Sequence, residues 1–162
     1  MKLILSLLLT VCAMLGILDA GYITYSETIG QLPPCQPPFA CREVLESPWS
    51  HIGPIPIAAF GLLFYSTMFV LGTLSFMDVR TVAVKGIKIN LVGVQALLGL
   101  SGFFFSLWLV FVMGVILQAW CLYCLLSAIN CFVIFILTTS IFVHEHRQTR
   151  REGPEESYAL HF

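Results

Sequence analysis

The sequence predicts an all-α integral membrane protein, a bundle of four spanning helices. Three observations lead there. Hydrophobic residues make up 58% of the 162 residues and charged residues only 10%, against roughly 45–50% and 25% in soluble domains, and mean hydropathy is +0.90. Four apolar runs are each long enough to match the ~20 residues a helix needs to cross about 30 Å of hydrocarbon. The eight Lys and Arg side chains collect, all but one, on a single side of those runs. A water-soluble core of this size cannot be covered by 8 basic and 9 acidic side chains, and a net charge of −1 excludes a nucleic-acid binder that works by neutralising phosphates. Disorder is excluded too, because so much apolar surface demands burial. One bilayer domain is expected over residues 1–146, followed by a charged, disordered tail over 147–162.

The first span covers about residues 3–24, with Asp19 near its end. Its apolar run exceeds a signal-peptide h-region and Leu18-Asp19-Ala20 is a poor cleavage site, so it reads as a retained helix. A loop over about 25–52 follows, in which Val44, Leu45 and Trp49 are expected to form the apolar side of a short interfacial helix that Pro48 ends. Gly53-Pro54-Ile55-Pro56 turns the chain into a second span at about 57–76. A polar link over about 78–90 leads to the third span, 91–117, long enough to tilt, and the fourth runs from about 120 to 143. Lys2, Arg80, Lys85, Lys88, Arg147, Arg150 and Arg151 then share one side, with Arg42 alone on the other. Because basic residues stay cytoplasmic, both termini are expected inside and the 25–52 loop outside.

On that topology four of the six cysteines meet at the outer face. Cys35 and Cys41 lie in the loop, and Cys121 and Cys124 open the fourth helix. The compartment is one in which disulfides persist. In Trp120-Cys121-Leu122-Tyr123-Cys124 the C-x-x-C spacing puts both sulfurs on one helix face, and the unpaired amides and positive dipole end of a helix N-terminus favour a thiolate at Cys121. Cys121 is thus expected to be the exposed, exchanging thiol, with Cys124 one turn deeper against the apolar interior. Four prolines hold the stretch around Cys35 extended, so that it can present Cys35 to a soluble partner while Cys41 reaches the fourth helix. Two dithiols so placed can pass oxidation along through mixed disulfides. The residues leave two other readings open: a structural staple at Cys35–Cys41, and a zinc or soft-metal site using all four thiolates.

Asp19 is an ionisable residue about 25 Å along the first helix from Lys2, near the outer interface, and is a candidate for proton relay or for hydrogen bonding at the helix end. Cys12 and Cys131 read as small buried hydrophobes. His144 and His146, beside Arg147, read as a solvated helix end. Phe103, Phe104, Phe105 and Trp108 read as packing or lipid contact, with a quinone pocket among them the alternative.

The ordered stretches LDAGYITY, CQPPFAC, SPWSHIGPIPIAAFGLLFY and WCLYCLLSA resemble the vitamin K epoxide reductase family, in particular its bacterial quinone-linked members. The related four-span DsbB family has its cysteine pairs in the reverse order. The resemblance covers about residues 3–143 and implies a transmembrane four-helix bundle around a quinone, in the inner (plasma) membrane with its active site extracytoplasmic. It implies that Cys41 shuttles to Cys121, that Cys35 meets a DsbA-like or thioredoxin-like partner, and that Cys124 contacts the quinone, ubiquinone or menaquinone. It also implies that Ser47 lies close to the active disulfide, and it places Asp19 in a D-x-x-Y stretch. No metal or flavin is implied. Vertebrate members carry an asparagine where Ile57 stands and a threonine-tyrosine-alanine box where Leu126-Ser127-Ala128 stands. These departures favour plain quinone reduction over the alternative, reduction of a naphthoquinone epoxide. Since the 147–162 tail is too short for a fused thioredoxin-like domain, the partner is expected to be a separate protein.

Overall fold

Seven positions of α1 (Lys2–Thr28) are buried, Ser6, Leu9, Ala13, Gly16, Ala20, Ile23 and Ser26, at alternating steps of mostly three and four residues. That spacing makes one narrow seam, and the small residues along it let neighbouring helices approach closely, as they must where lipid supplies no hydrophobic drive. The remaining faces of α1 expose Leu3, Ile4, Leu7, Leu8, Val11 and Leu15, as a lipid-facing helix should. The structure, a computed structural model, describes residues 2–77, 79, 81–84 and 87–152.

Four helices are long and apolar enough to cross a membrane: α1, α3 (Ile57–Phe76), α4 (Leu91–Phe111) with its continuation to Leu117, and α5 (Leu122–Glu152) over Leu122–Gln148. The bundle is the predicted one, with α1 packed on α3 and α5, and α4 on α5. Its main core joins Leu9, Ala13, Ala20, Tyr65, Met68, Val92, Cys131, Ile134, Leu137 and Ile141. A Cβ on Gly16 would overlap the Tyr65 ring, and one on Gly99 would overlap Thr138. The buried polar groups cross between helices to find partners. The Tyr65 hydroxyl donates to the Ser127 carbonyl at 2.9 Å, Asn130 Nδ2 donates to the Cys12 carbonyl at 3.0 Å, and Ser75 Oγ donates to Gln95 Oε1 at 3.1 Å. At one end of the bundle Lys2 pairs with Glu145 at 3.6 Å.

Several boundaries differ from the sequence reading. The first helix continues through Thr28, which carries Glu27 out of the expected loop and onto a helical turn. Two hairpins replace stretches read as turn and link. The first, β1 (His51–Ile52) with β2 (Ile55–Pro56), turns on Gly53 at φ +64° followed by Pro54; a positive φ at the first central residue suits a two-residue hairpin loop. The second pairs β3 (Thr81–Val84) with β4 (Ile87–Asn90), and Asn90 then caps α4, its Oδ1 accepting from Val92 N at 3.0 Å. Asp78, Arg80 and Lys85 lie outside the described residues. At its other end α4 passes into a π-helix (Val112–Leu117) and stops at Gln118, whose φ is +49°. The last helix starts at Leu122, one residue after Cys121, and continues past Val143 to Glu152. It therefore includes the first part of the stretch expected as a tail, of which residues 153–162 lie outside the described region.

The Gly16–Tyr65 contact gives a direct test of the packing. Gly16→Ala is expected to lower stability in detergent by about 1–3 kcal/mol, the range for overpacking a filled core. Gly21→Ala, whose added Cβ meets only Leu62 at 3.7 Å, should be close to neutral. Thermal unfolding of the two variants beside the parent checks this, and equal losses would contradict it.

Candidate active site

The loop after α1 reaches the head of the last helix through a backbone bond, Ala40 N to the Trp120 carbonyl at 2.9 Å. Each partner immediately precedes a cysteine, so the bond brings Cys41 and Cys121 to the same place. Cys41 opens the short helix α2 (Cys41–Leu45), and Cys121 precedes α5. Both are sealed: Cys41 is 1% and Cys121 0% exposed, in one cluster with Val44, Met113 and Ala119. Cys121 is therefore not the exposed thiol the sequence suggested. A thiol at a helix start was expected to face water, but the loop folds down over it.

Cys35 and Cys41 form a disulfide, with Cα atoms 5.9 Å apart; Cys121 and Cys124 are free thiols. Beside the disulfide lies a groove of about 390 Å³ that includes Cys35, Phe39, Arg42 and Glu46. The Arg42–Glu46 pair, at 3.0 Å, spans one turn at its edge.

Cys121 acts as the N-cap of α5. Its carbonyl accepts from Leu125 N at 3.0 Å and its sulfur accepts from Cys124 N at 3.5 Å, the N-cap to N3 pattern that oxygen side chains usually supply. The pKa of Cys121 is lowered from the ordinary thiol value, first by hydrogen bonding from the Cys124 side chain and then by the Cys124 and Tyr123 amides, against the opposing effect of burial. Donors aimed at a sulfur favour its thiolate.

Cys124 lies one turn on, its side chain hydrogen-bonded to Cys121. It lines a partly open cavity of about 470 Å³ between α1, α3, α4, α5 and the α2 segment. Such a volume suits a small-molecule site, apolar with a few polar groups. The wall is mostly aliphatic and aromatic, Phe60, Phe64, Phe105 and Trp49 among them, with Asp19, Glu27, Tyr65 and the hydroxyls of Ser50, Ser101, Ser106 and Ser127 as its polar points. The C-x-x-C thus joins two surroundings: its side chains are hydrogen-bonded to each other, Cys121 is buried in one cluster with the loop cysteine Cys41, and Cys124 packs against that cluster and also lines the cavity.

Of the other residues singled out in the sequence, Asp19 lines the cavity and its Oδ2 is buried with no hydrogen-bond partner. Ser47 is buried, but its Oγ donates to the Val44 carbonyl at 2.7 Å. It closes the end of α2, and Ser50, not Ser47, is the loop serine on the cavity wall. Helix α2 ends at Leu45, before Pro48, which instead begins a 3-10 turn (Pro48–Ser50). Val44 and Leu45 turn inward to the bundle, and Trp49 meets Trp108 of α4 at 6.5 Å between ring centres. Phe105 lines the cavity, while Phe103 stacks on Phe135 at 4.9 Å. Cys131 is buried against the Tyr65 hydroxyl at 3.1 Å, and His146 stacks on Phe142.

Sequence reasoning missed Glu27, Tyr65 and the Ala40–Trp120 bond. Glu27 sits eight residues after Asp19, a little over two helical turns, and that spacing would have placed it on nearly the same face had the span been read to its true end.

Fold and site together define a membrane-embedded thiol oxidoreductase. The chain matches the Vitamin K epoxide reductase family over residues 7–139, a stretch that contains all six cysteines, and it belongs to that family. Its members use quinones and a thiol redox partner. No curated protein matches the chain.

The lowered pKa of Cys121 has a measurable consequence. In the fully reduced protein its thiolate should persist below the pH at which ordinary cysteines protonate, and disappear as pH falls through the lowered value. The ultraviolet thiolate absorbance, taken as the difference between the parent and Cys121→Ser, should titrate below the usual cysteine range. In a Cys124→Ala background, which removes the largest stabilising contact, that midpoint should move upward. A midpoint that ignores Cys124→Ala would contradict this account of the shift.

Proposed function

We propose that the protein forms disulfides, carrying electrons from an extracytoplasmic DsbA-like or thioredoxin-like dithiol to a membrane quinone, ubiquinone or menaquinone. The partner dithiol reduces the Cys35–Cys41 disulfide and is itself oxidised. The Cys41 thiolate then attacks Cys121 of an oxidised Cys121–Cys124 pair, forming a Cys41–Cys121 mixed disulfide and releasing Cys124. Cys35 attacks Cys41, restoring the loop disulfide and releasing Cys121. From the reduced Cys121/Cys124 pair, two electrons leave for the quinone and the inner disulfide closes again.

One observation supports this reading: the Cys121 and Cys124 side chains are hydrogen-bonded to each other, Cys121 is buried in one cluster with Cys41, and Cys124 lines the cavity. The quinone supplies the oxidising equivalents when bound. The volume and mostly apolar lining of the cavity support a site for such a group, and Cys124 on its wall would be the thiol that reacts with it. The chain's own part is to hold that group away from water, to keep Cys121 as the exchanging thiolate, and to hold a proton at Asp19 beside the cavity. The basic residues on the Lys2 side favour placing the loop and its cysteines outside the cytoplasm.

Cys124→Ala should trap the exchange. In this variant the Cys121 thiolate can attack Cys41 of the loop disulfide, releasing Cys35 as a thiolate, and with no Cys124 to attack Cys121 in turn, a Cys41–Cys121 disulfide should accumulate and be identified by mass spectrometry of the non-reduced protein. Finding Cys35 joined to Cys121 instead, or no such species, would contradict the proposed order of transfer.

A further inference from the structure

A count of protons sets this inference, which rests on the proposed quinone reduction. The N-cap bond from Cys124 N to Cys121 Sγ favours Cys121 as thiolate, so its proton has already left for solvent before the inner pair is oxidised. The reaction is then Cys121–S⁻ plus Cys124–SH plus quinone plus H⁺, giving the Cys121–Cys124 disulfide plus quinol. Both sides are neutral. Two electrons move, the sulfur–sulfur bond forms, and Cys124 supplies one of the two protons taken up on oxygen. The other must come from water into a cavity that is largely apolar.

Two carboxylates line that cavity, Asp19 and Glu27, and each has a buried oxygen without a hydrogen-bond partner among the described residues. They lie on α1 eight residues apart, about 12 Å along the axis at 1.5 Å per residue. Asp19 is the deeper, and Glu27 sits one residue from the end of α1. On the open side, His51 of β1 is exposed, with its Nδ1 2.8 Å from Ser50 Oγ, and its charge acts on Glu27. The titratable groups facing this stretch are thus His51 from β1, Tyr65 from α3, Cys121 at the head of α5 and Tyr123 and Cys124 within it, besides Asp19 itself. We propose that Glu27 is the proton inlet of the site, taking one proton per turnover from the aqueous face near His51 and passing it to the cavity by way of Asp19. A carboxylate with an unpartnered oxygen at the mouth, another deeper in, and a titratable imidazole outside give a route from water to the cavity.

The test uses the full-length protein in lipid nanodiscs, reduced beforehand, freed of reductant and mixed with a short-chain ubiquinone while quinone absorbance is followed through a single turnover. Glu27→Gln is expected to cut the limiting rate by about tenfold or more, within the range for a positioned acid, while the half-saturating quinone concentration changes less than about twofold. Glu27→Asp should recover most of the rate, which a purely structural role would not require. A limiting rate unchanged in Glu27→Gln, a loss confined to half-saturation, or a Glu27→Asp no faster than Glu27→Gln would each overturn the inlet. If the parent protein itself fails to reduce the quinone, the underlying reading falls and this inference with it, a result distinct from a competent parent with impaired or unimpaired variants.

Discussion

The site depends on one backbone hydrogen bond, from Ala40 N to the Trp120 carbonyl. The loop around Cys35 holds four prolines, which have no amide to offer and cannot lock the loop into a sheet or helix. A loop with so few internal bonds needs an external fixed point. The bond to Trp120 supplies it, and because each partner adjoins a cysteine, fixing the loop also fixes Cys41 at Cys121. The burial of both sulfurs follows. Thiol exchange demands close approach of the reacting sulfurs and is slowed by competing access from solvent thiols; a sealed contact satisfies the first and limits the second.

The second constraint is the bilayer. Backbone groups in hydrocarbon must be satisfied within the chain, so non-helical structure is kept to the two ends of the bundle, the β3–β4 hairpin at one and the cysteine loop at the other, where α1 and α4 finish and α3 and α5 begin. All the chemistry is at that end. The π-helical finish of α4 and the left-handed Gln118 let the chain turn within a few residues and begin α5 with Cys121 as cap. As cap, Cys121 lies outside the helix proper, buried beside the loop, while Cys124 three positions on lines the cavity and keeps its side chain hydrogen-bonded to Cys121. The pair thus joins the loop side of the site to the cavity side.

How far the sequence reveals all this depends on range. The four spans follow from hydropathy alone, and the family likeness rests on the order of short motifs, each local. The pairing of loop with C-x-x-C was legible as a meeting at one membrane face. The burial of Cys121 was not, because it comes from a contact between residues 80 positions apart, Ala40 and Trp120. Ser47 was misjudged for a related reason: a serine after a short helix can bond its own backbone, and here it does so at Val44, leaving Ser50 at the cavity. Glu27 was hidden by a span boundary. Hydropathy stops at the last apolar residue, but α1 runs on as far as Thr28.

The most direct measurement is the order in which disulfides form when the fully reduced protein meets quinone. Rapid quenching by alkylation, followed by mass spectrometry, should find Cys121–Cys124 closing first and then giving way to Cys35–Cys41, with the loop bond absent in Cys121→Ser. A loop disulfide that forms first, or forms equally fast in Cys121→Ser, would show that oxidation reaches the loop by another route and would contradict the account.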